Sequence, residues 1–472
     1  MLDLVFIAFI GFILLLGLRR PFLWVLLYVY IDILAPQRIG YGIIQELQIS
    51  LIAFAAAFGG WLILDRKEGA RFSLRQFLIL GLLIYCWWTL QGAEFPEAAA
   101  TKWDWVWKAF LFAIFLPLTI TTRLRIEALA LVLVVAVATI VIGTGMKTVL
   151  GGGGYENLKF FVKDNSGIYE SSTLATVAIA LIPVIAWFTK YGTVYRPHWT
   201  VSVFAGALIF ASLLIPVGTE ARTGLLCIAA LGVLLLRYTK RRLVFIAAAG
   251  VMGLTALPFL PASYYERMAT LTQPGGDESA STRIAVWEWT MDYAAERPFG
   301  GGFDAYRANS FTYRMPVRQE VGNTVSVEYR EVTDEARAFH SSFFEVLGEQ
   351  GYPGLAMWLL LHGLGVWQME RIYRKWRVGD RSRDEATEWI APLAAALQMA
   401  SLVYLVGATF QGIAYQPVML MIVGLQIGLN SYTIRIESTR EDEVETTEPS
   451  PSERRAERQR AAAQARARLA VP

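Results

Sequence analysis

Thirteen runs of apolar residues, most of them close to the length of a membrane-crossing helix, leave few folds open to this chain. They fall at 2–17, 21–35, 44–64, 74–91, 104–120, 126–145, 171–189, 199–217, 222–237, 242–260, 351–369, 389–408 and 415–432. About 20 helical residues cross the hydrocarbon core of a bilayer, where the backbone must satisfy its own hydrogen bonds. A chain of 472 residues that is 55% hydrophobic and carries 15 Trp is too apolar for a soluble enzyme. It reads as an all-α polytopic membrane protein of about 12–13 transmembrane helices. Only Leu18, Arg19 and Arg20 separate the first two runs, which leaves the count at twelve or thirteen. No basic stretch precedes the first run and no small-residue cleavage site follows it, so a removed signal peptide is not expected.

The basic residues between the runs give an orientation, because short cytoplasmic loops retain Lys and Arg. Arg19 and Arg20, DRKEGARF at 65–72, TTRLR at 121–125, YTKRR at 238–242 and the Arg/Lys-rich stretch 370–388 alternate correctly through the series. All of them fit the cytoplasmic side at once, with the N-terminus outside. The chain then divides into transmembrane helices over 1–260, a large periplasmic loop over 261–350, transmembrane helices over 351–432 and a cytoplasmic tail over 433–472. The loop is expected to be helical. The tail holds an acidic run, a Pro/Ser patch and an Arg/Ala-rich end, a composition of disorder or loose helix.

Segment 261–350 is where chemistry is expected, since it is the one large polar stretch between apolar runs. It holds eight arginines, no lysine and His340, one of three histidines in the chain. The net charge of +3 says little about partners, because the basic residues serve topology, and nothing points to nucleic acid. Cys86 and Cys227 sit inside apolar runs and read as small apolar residues. P-loop, CxxC and HExxH patterns are absent, and Gly151–Gly154 reads as a flexible outer loop.

Two arginines stand out by position. Ser281 or Ser279 suits a helix cap, which places Arg283 in the first turn of a helix ended by Pro298 and Gly300 to Gly302. Thr219 suits a cap for the run 222–237, with Glu220 and Arg222 in or beside its first turn. A helix N-terminus favours an anion, and a guanidinium adds a planar donor fork matched to phosphate oxygens. The plainer alternatives are pairing of Arg283 with Asp277 or Glu278, and snorkelling of Arg222 to lipid headgroups. His340 precedes a short helix marked by Phe343, Phe344, Val346 and Leu347, just above the run at 351. An imidazole there suits a general base, or a structural hydrogen bond within the loop. His198 and His362 read as structural.

EARTG at 220–224, STRIAVWEW at 281–289 with the trailing RPFGGGF, and FHSSFFEVLGEQGYPG at 339–354 resemble the three signature regions of the O-antigen ligase and O-antigen polymerase superfamily. Order, spacing and the many-span setting agree over roughly residues 170–430. The N-terminal half, including DNSGIYESSTLATVAIALIPVI, resembles the exosortase-associated O-glycosylation ligase branch. Many members have His-Asn where this chain has His340-Ser341.

The resemblance implies a membrane glycosyltransferase of the bacterial inner membrane, taking a glycan from an undecaprenyl-diphosphate carrier to an acceptor hydroxyl on the periplasmic face. It implies that Arg222 and Arg283 hold the diphosphate and that His340 deprotonates or orients the acceptor. The acceptor would be a glycan, lipid or protein, and reaction would invert the anomeric carbon without cofactor or metal. Glu220, Glu288 and Glu345 are candidate partners of the arginines or of His340. A polymerase using the same donor is the alternative. A secondary transporter is a more distant one, disfavoured because the halves do not repeat.

Overall fold

The computed structural model describes residues 2–40, 42–67, 69–151, 167–256, 278–321, 324–377 and 384–447. Every apolar run is helical within them. The helices are α1 (Leu2–Gly17), α2 (Phe22–Leu34), α3 (Ile49–Ile63), α4 (Leu74–Gln91), α5 (Pro96–Thr119), α6 (Arg123–Gly151) and α7 (Ser171–Tyr191). They continue as α8 (Trp199–Gly218), α9 (Arg222–Leu236), α10 (Arg242–Ala256), α11 (Glu278–Glu296), α12 (Ser342–Trp376), α13 (Ile390–Ala408) and α14 (Pro417–Thr447). Short helices at Pro36–Ile39 and Ile43–Glu46 join α2 to α3.

The protein is an all-α polytopic membrane protein. Among the described residues, six helices are long and apolar enough to cross a membrane: Phe22–Ile39, α6, α7, α8, α13 and Pro417–Thr439. Asp3–Gly17, α3 and α9 are equally apolar but shorter. Helices α7 and α13 pack on each other at the centre and are the most enclosed of the six. Their small residues, such as Ala175, Ala178, Ala394 and Gly407, let the backbones approach.

Contacts between loops fall into two sets. Arg125 chelates Asp65 at 2.6 and 2.7 Å, and Arg435 donates to the carbonyls of Gly69 and Thr121 at 2.7 and 2.9 Å. Arg237 pairs with Glu370 at 2.6 Å, and Glu127 accepts from the amide of Val194 at 2.6 Å. All of these join one basic loop region to another. The second set, around His340, joins only the loops that the charge pattern separates from them.

Helix α12 is broken near its start. Gly351 (φ 63°, ψ −168°) divides a short segment, 342–350, from the long helix that follows. This backbone region is open essentially to glycine alone. A methyl group at Gly351 would lie 2.2 Å from the Pro298 carbonyl oxygen, and one at Gly300 2.4 Å from that of Glu349. The backbones of 298–302 and 348–352 are therefore pressed together, with Gly302 N donating to Glu349 O at 2.9 Å and Tyr352 N to Pro298 O at 3.0 Å. Gly351→Ala should cost about 1–3 kcal/mol from backbone strain alone, before any clash. Reduced recovery of monodisperse protein after detergent extraction, beside a well-tolerated Gly363→Ala on open surface, is the check.

One expectation needs correction. The polar segment is not wholly helical: β1 (Ser310–Val321) and β2 (Thr324–Glu335) form an antiparallel hairpin, paired from Ser310–Glu335 to Val321–Thr324. Phe311, Tyr313, Met315 and Val317 in β1, and Val325, Val327 and Tyr329 in β2, recur at every second residue, the period of a strand. Beyond the last apolar run, α14 runs on to Thr447. No Pro or Gly interrupts it before Pro449, and Lys375 binds Glu437 at 2.6 Å. The rest of the tail lies outside the described residues.

Candidate active site

His340 sits in a short extended stretch between the hairpin and α12, held in the left-handed region at φ 47°. A polar clamp fixes the stretch. Ala336 N donates to Asn309 O at 3.0 Å, Arg337 N to Asn309 Oδ1 at 2.8 Å, and Asn309 Nδ2 returns a bond to Arg337 O at 2.8 Å. The Arg337 guanidinium binds Asp334 at 2.7 Å and reaches Thr282 of α11 at 3.4 Å. The indole N–H of Trp287 holds Phe339 O at 2.9 Å, and its ring stacks on Phe344 with centroids 5.1 Å apart. Helix α11 is thereby docked against the residues on either side of His340.

This docking brings Arg283, one turn before Trp287, into the electrostatic field of the imidazole. His340 is exposed to solvent. Crowding by protein, and then the Arg283 and Arg337 cations, hold its pKa well below the ordinary 6.5. The ring is neutral at pH 7, the form able to accept a proton. Arg283 itself is half-buried.

Arg283 does not occupy the first turn, as the cap at Ser279 or Ser281 required. Residues 278–281 are already helical, so Arg283 lies beyond the first turn of α11. Asp277, its alternative partner, lies outside the described residues. Arg222 is the first residue of α9, as expected, but Thr219 does not cap it. The Thr219 hydroxyl turns back to Ile215 O at 2.7 Å and closes α8, leaving Ala221 as the cap residue.

Arg222 lies on the same face of the bundle. Gly224 of α9 packs against Ala175 of α7, and Gln411 binds the start of α7 through Thr173, Thr176 and the Ser172 carbonyl. Ser342 Oγ in turn donates to Gln411 O at 2.8 Å and accepts from Ile413 N at 3.0 Å. A continuous set of helix ends thus joins Arg222 to the residue two beyond His340. The Ser341 hydroxyl is buried and makes no hydrogen bond.

The three glutamates separate. Glu220 is buried at φ 52° immediately before α9. Glu288 is exposed on α11, away from the Trp287 side. Glu345 is engaged by Lys102, not by an arginine or His340, because α5 starts at Pro96 and carries Lys102 inward. Lys102 Nζ lies 2.7 Å from Glu345 Oε1 and 2.7 Å from Glu349 Oε1, under the rings of Tyr415 and Phe303. Burial opposes the ammonium charge, but the two carboxylates outweigh it and push its pKa up.

Sequence reasoning passed over Arg337 and the pairing of Lys102 with Glu349. Arg337 stands three residues before His340, and Glu345 and Glu349 are spaced to share one helix face. Those spacings were the available signals; nothing in the sequence joined Lys102 to them.

The fold is that of a membrane protein with a bundle of apolar helices and a polar face that carries His340 and the helix ends around it. Residues 206–359 match the family described as O-Antigen ligase, which supports a likeness of that part of the chain to the O-antigen ligase superfamily. Residues 1–193 match a family of unknown function, DUF5935. No curated protein matches the chain.

Proposed function

We propose that the protein transfers a glycan from an undecaprenyl-diphosphate carrier to an acceptor hydroxyl at the periplasmic face of the bacterial inner membrane. The observation that carries this reading is the docking of α11, which bears Arg283, against the residues on either side of the solvent-exposed His340. His340 takes the acceptor proton as the hydroxyl oxygen attacks the anomeric carbon. The bond to the diphosphate breaks on the opposite side, so configuration inverts. Arg283 and Arg222 stabilise the charge that develops on the departing diphosphate, and each such preorganised donor is worth about 2.7–4 kcal/mol. Diphosphate leaves without help from an acid. The acceptor would be a glycan, lipid or protein, and the exosortase-associated O-glycosylation branch fits the N-terminal motif.

Complementation of a strain lacking the gene tests this. The wild-type chain should restore glycan attachment or extension, and Arg222→Ala at normal protein level should leave carrier-linked glycan to accumulate. A product of one unit joined to a non-carrier acceptor identifies a ligase; extension of carrier-linked chains identifies a polymerase. Normal product from the Arg222 variant would remove that residue from the site.

A further inference from the structure

The segment that follows His340 is gripped by a buried charge cluster that the transfer chemistry does not itself require. Residues 342–350 form the short helix before the Gly351 break. Two carboxylates one turn apart on it, Glu345 and Glu349, close on the Lys102 ammonium from α5. The two are not equivalent. Glu345 has both oxygens satisfied, Oε1 by Lys102 and Oε2 by the Ala414 amide at 3.0 Å. Glu349 Oε1 accepts from Lys102 and from the Asp304 amide at 2.9 Å, while Oε2 is buried with no partner. The Tyr415 hydroxyl, also buried and unpartnered, lies beside Glu349. Asp304 is 3.8 Å from Lys102, so one ammonium faces three carboxyl groups.

We propose that Lys102 and Glu345 form a charged lock that positions the His340 segment, and that Glu349 carries a proton within it. A single buried cation stably matches a single buried anion, and a second anion in the same dry space would be uncompensated. A proton on Glu349 Oε2 turns an orphaned acceptor into a donor facing the Tyr415 oxygen and, with Asp304 shared with Arg307 at 3.8 Å, leaves Glu345 as the anion matched to Lys102. Burial, the larger influence, and the neighbouring Glu345 push the Glu349 carboxyl up to about 8 despite Lys102, in keeping with this placement. The other ionisable groups around it are Lys102, Glu345, Asp304, Tyr415 and Cys86. Lys102 is thus a positioning residue: it touches neither His340 nor the arginines, but holds the helix whose N-terminal end is His340 and Ser341. The proposal rests on the transfer reading above for its activity assay, and not for its spectroscopic one.

The test compares Lys102→Met, Lys102→Arg, Glu345→Gln and Glu349→Gln in the full chain. Glutamine at 349 reproduces a protonated carboxyl, with Oε1 accepting and the amide donating toward Tyr415. Glutamine at 345 must turn an N–H against either Lys102 or the Ala414 amide. Small displacements of a reacting group lower turnover steeply, so Lys102→Met and Glu345→Gln should reduce kcat about 10- to 100-fold with little change in KM. Lys102→Arg should recover part of the loss. Glu349→Gln should lose at most about one-tenth as much as Glu345→Gln. A second readout is ring-labelled histidine NMR in lipid nanodiscs, which resolves only three histidines. The His340 signal and its titration should move in Lys102→Met and stay in place in Glu349→Gln. Equal damage from Glu345→Gln and Glu349→Gln overturns the proton assignment. An unmoved His340 signal and unchanged kcat in Lys102→Met overturn the lock. Activity surviving His340→Ala would instead sink the transfer reading, and the NMR comparison would still decide the lock.

Discussion

Replacing Arg283 with alanine is expected to lower transfer from the carrier-linked donor by about 10²–10³-fold while the protein remains folded in the membrane. Arg283 is half-buried in the second turn of α11, and the tertiary contacts of that helix run through Trp287, Tyr293 and Arg337. The loss should fall mainly on kcat, because charge grows on the diphosphate only as the bond breaks. Arg283→Lys should restore little, since an ammonium offers a point charge where two phosphate oxygens need a planar fork. Arg283→Ala should have a second effect through His340. With one cation gone the imidazole binds its proton more readily, so the acid limb of the pH profile moves to higher pH. Steady-state kinetics across pH in detergent or nanodiscs would show both. An unchanged kcat in Arg283→Ala would remove this residue from the diphosphate site.

His340→Ala should lower turnover by about 10²–10⁴-fold, the usual contribution of a positioned general base. The sign of the pH dependence follows from the surroundings. Only the neutral ring accepts a proton, and crowding together with Arg283 and Arg337 disfavours the charged form. Activity should therefore hold steady below the ordinary imidazole range and fall only as pH drops through the lowered value. Arg337→Gln removes one of the opposing charges and should shift that fall toward neutrality, with turnover at pH 8 much less affected. An acid limb that stays in place in Arg337→Gln would show that another group limits the rate.

Much of the architecture could be read before any coordinates. The apolar runs predicted every long helix of the bundle, because in lipid a helix is the one way for a single segment to satisfy its own backbone. The short helix after His340 followed from Phe343, Phe344, Val346 and Leu347. Helix ends were less legible. Thr219 had the chemistry of a cap for α9, yet bonded backward to α8, since a threonine hydroxyl serves either neighbour. Ser279 and Ser281 had the chemistry of caps for α11, yet both lie inside it. The hairpin carried a strand-like alternation that a helical reading of the loop overlooked. The joining of Lys102 to Glu345 and Glu349 depends on contacts across more than 240 residues of chain. Spacing within a sequence does not encode such contacts.

The hairpin has a further consequence for manipulating the molecule. Its twelve-residue strands, at about 3.3 Å per residue, form an arm of roughly 40 Å rooted at Asn309 and Ala336. Ladder pairing repeats every two residues, so excising matched pairs from both strands shortens the arm without reversing which side faces which way. A graded series of truncations, or a rigid tag grafted across its tip, gives a handle whose length is set at will while the clamp beside Arg337 stays whole.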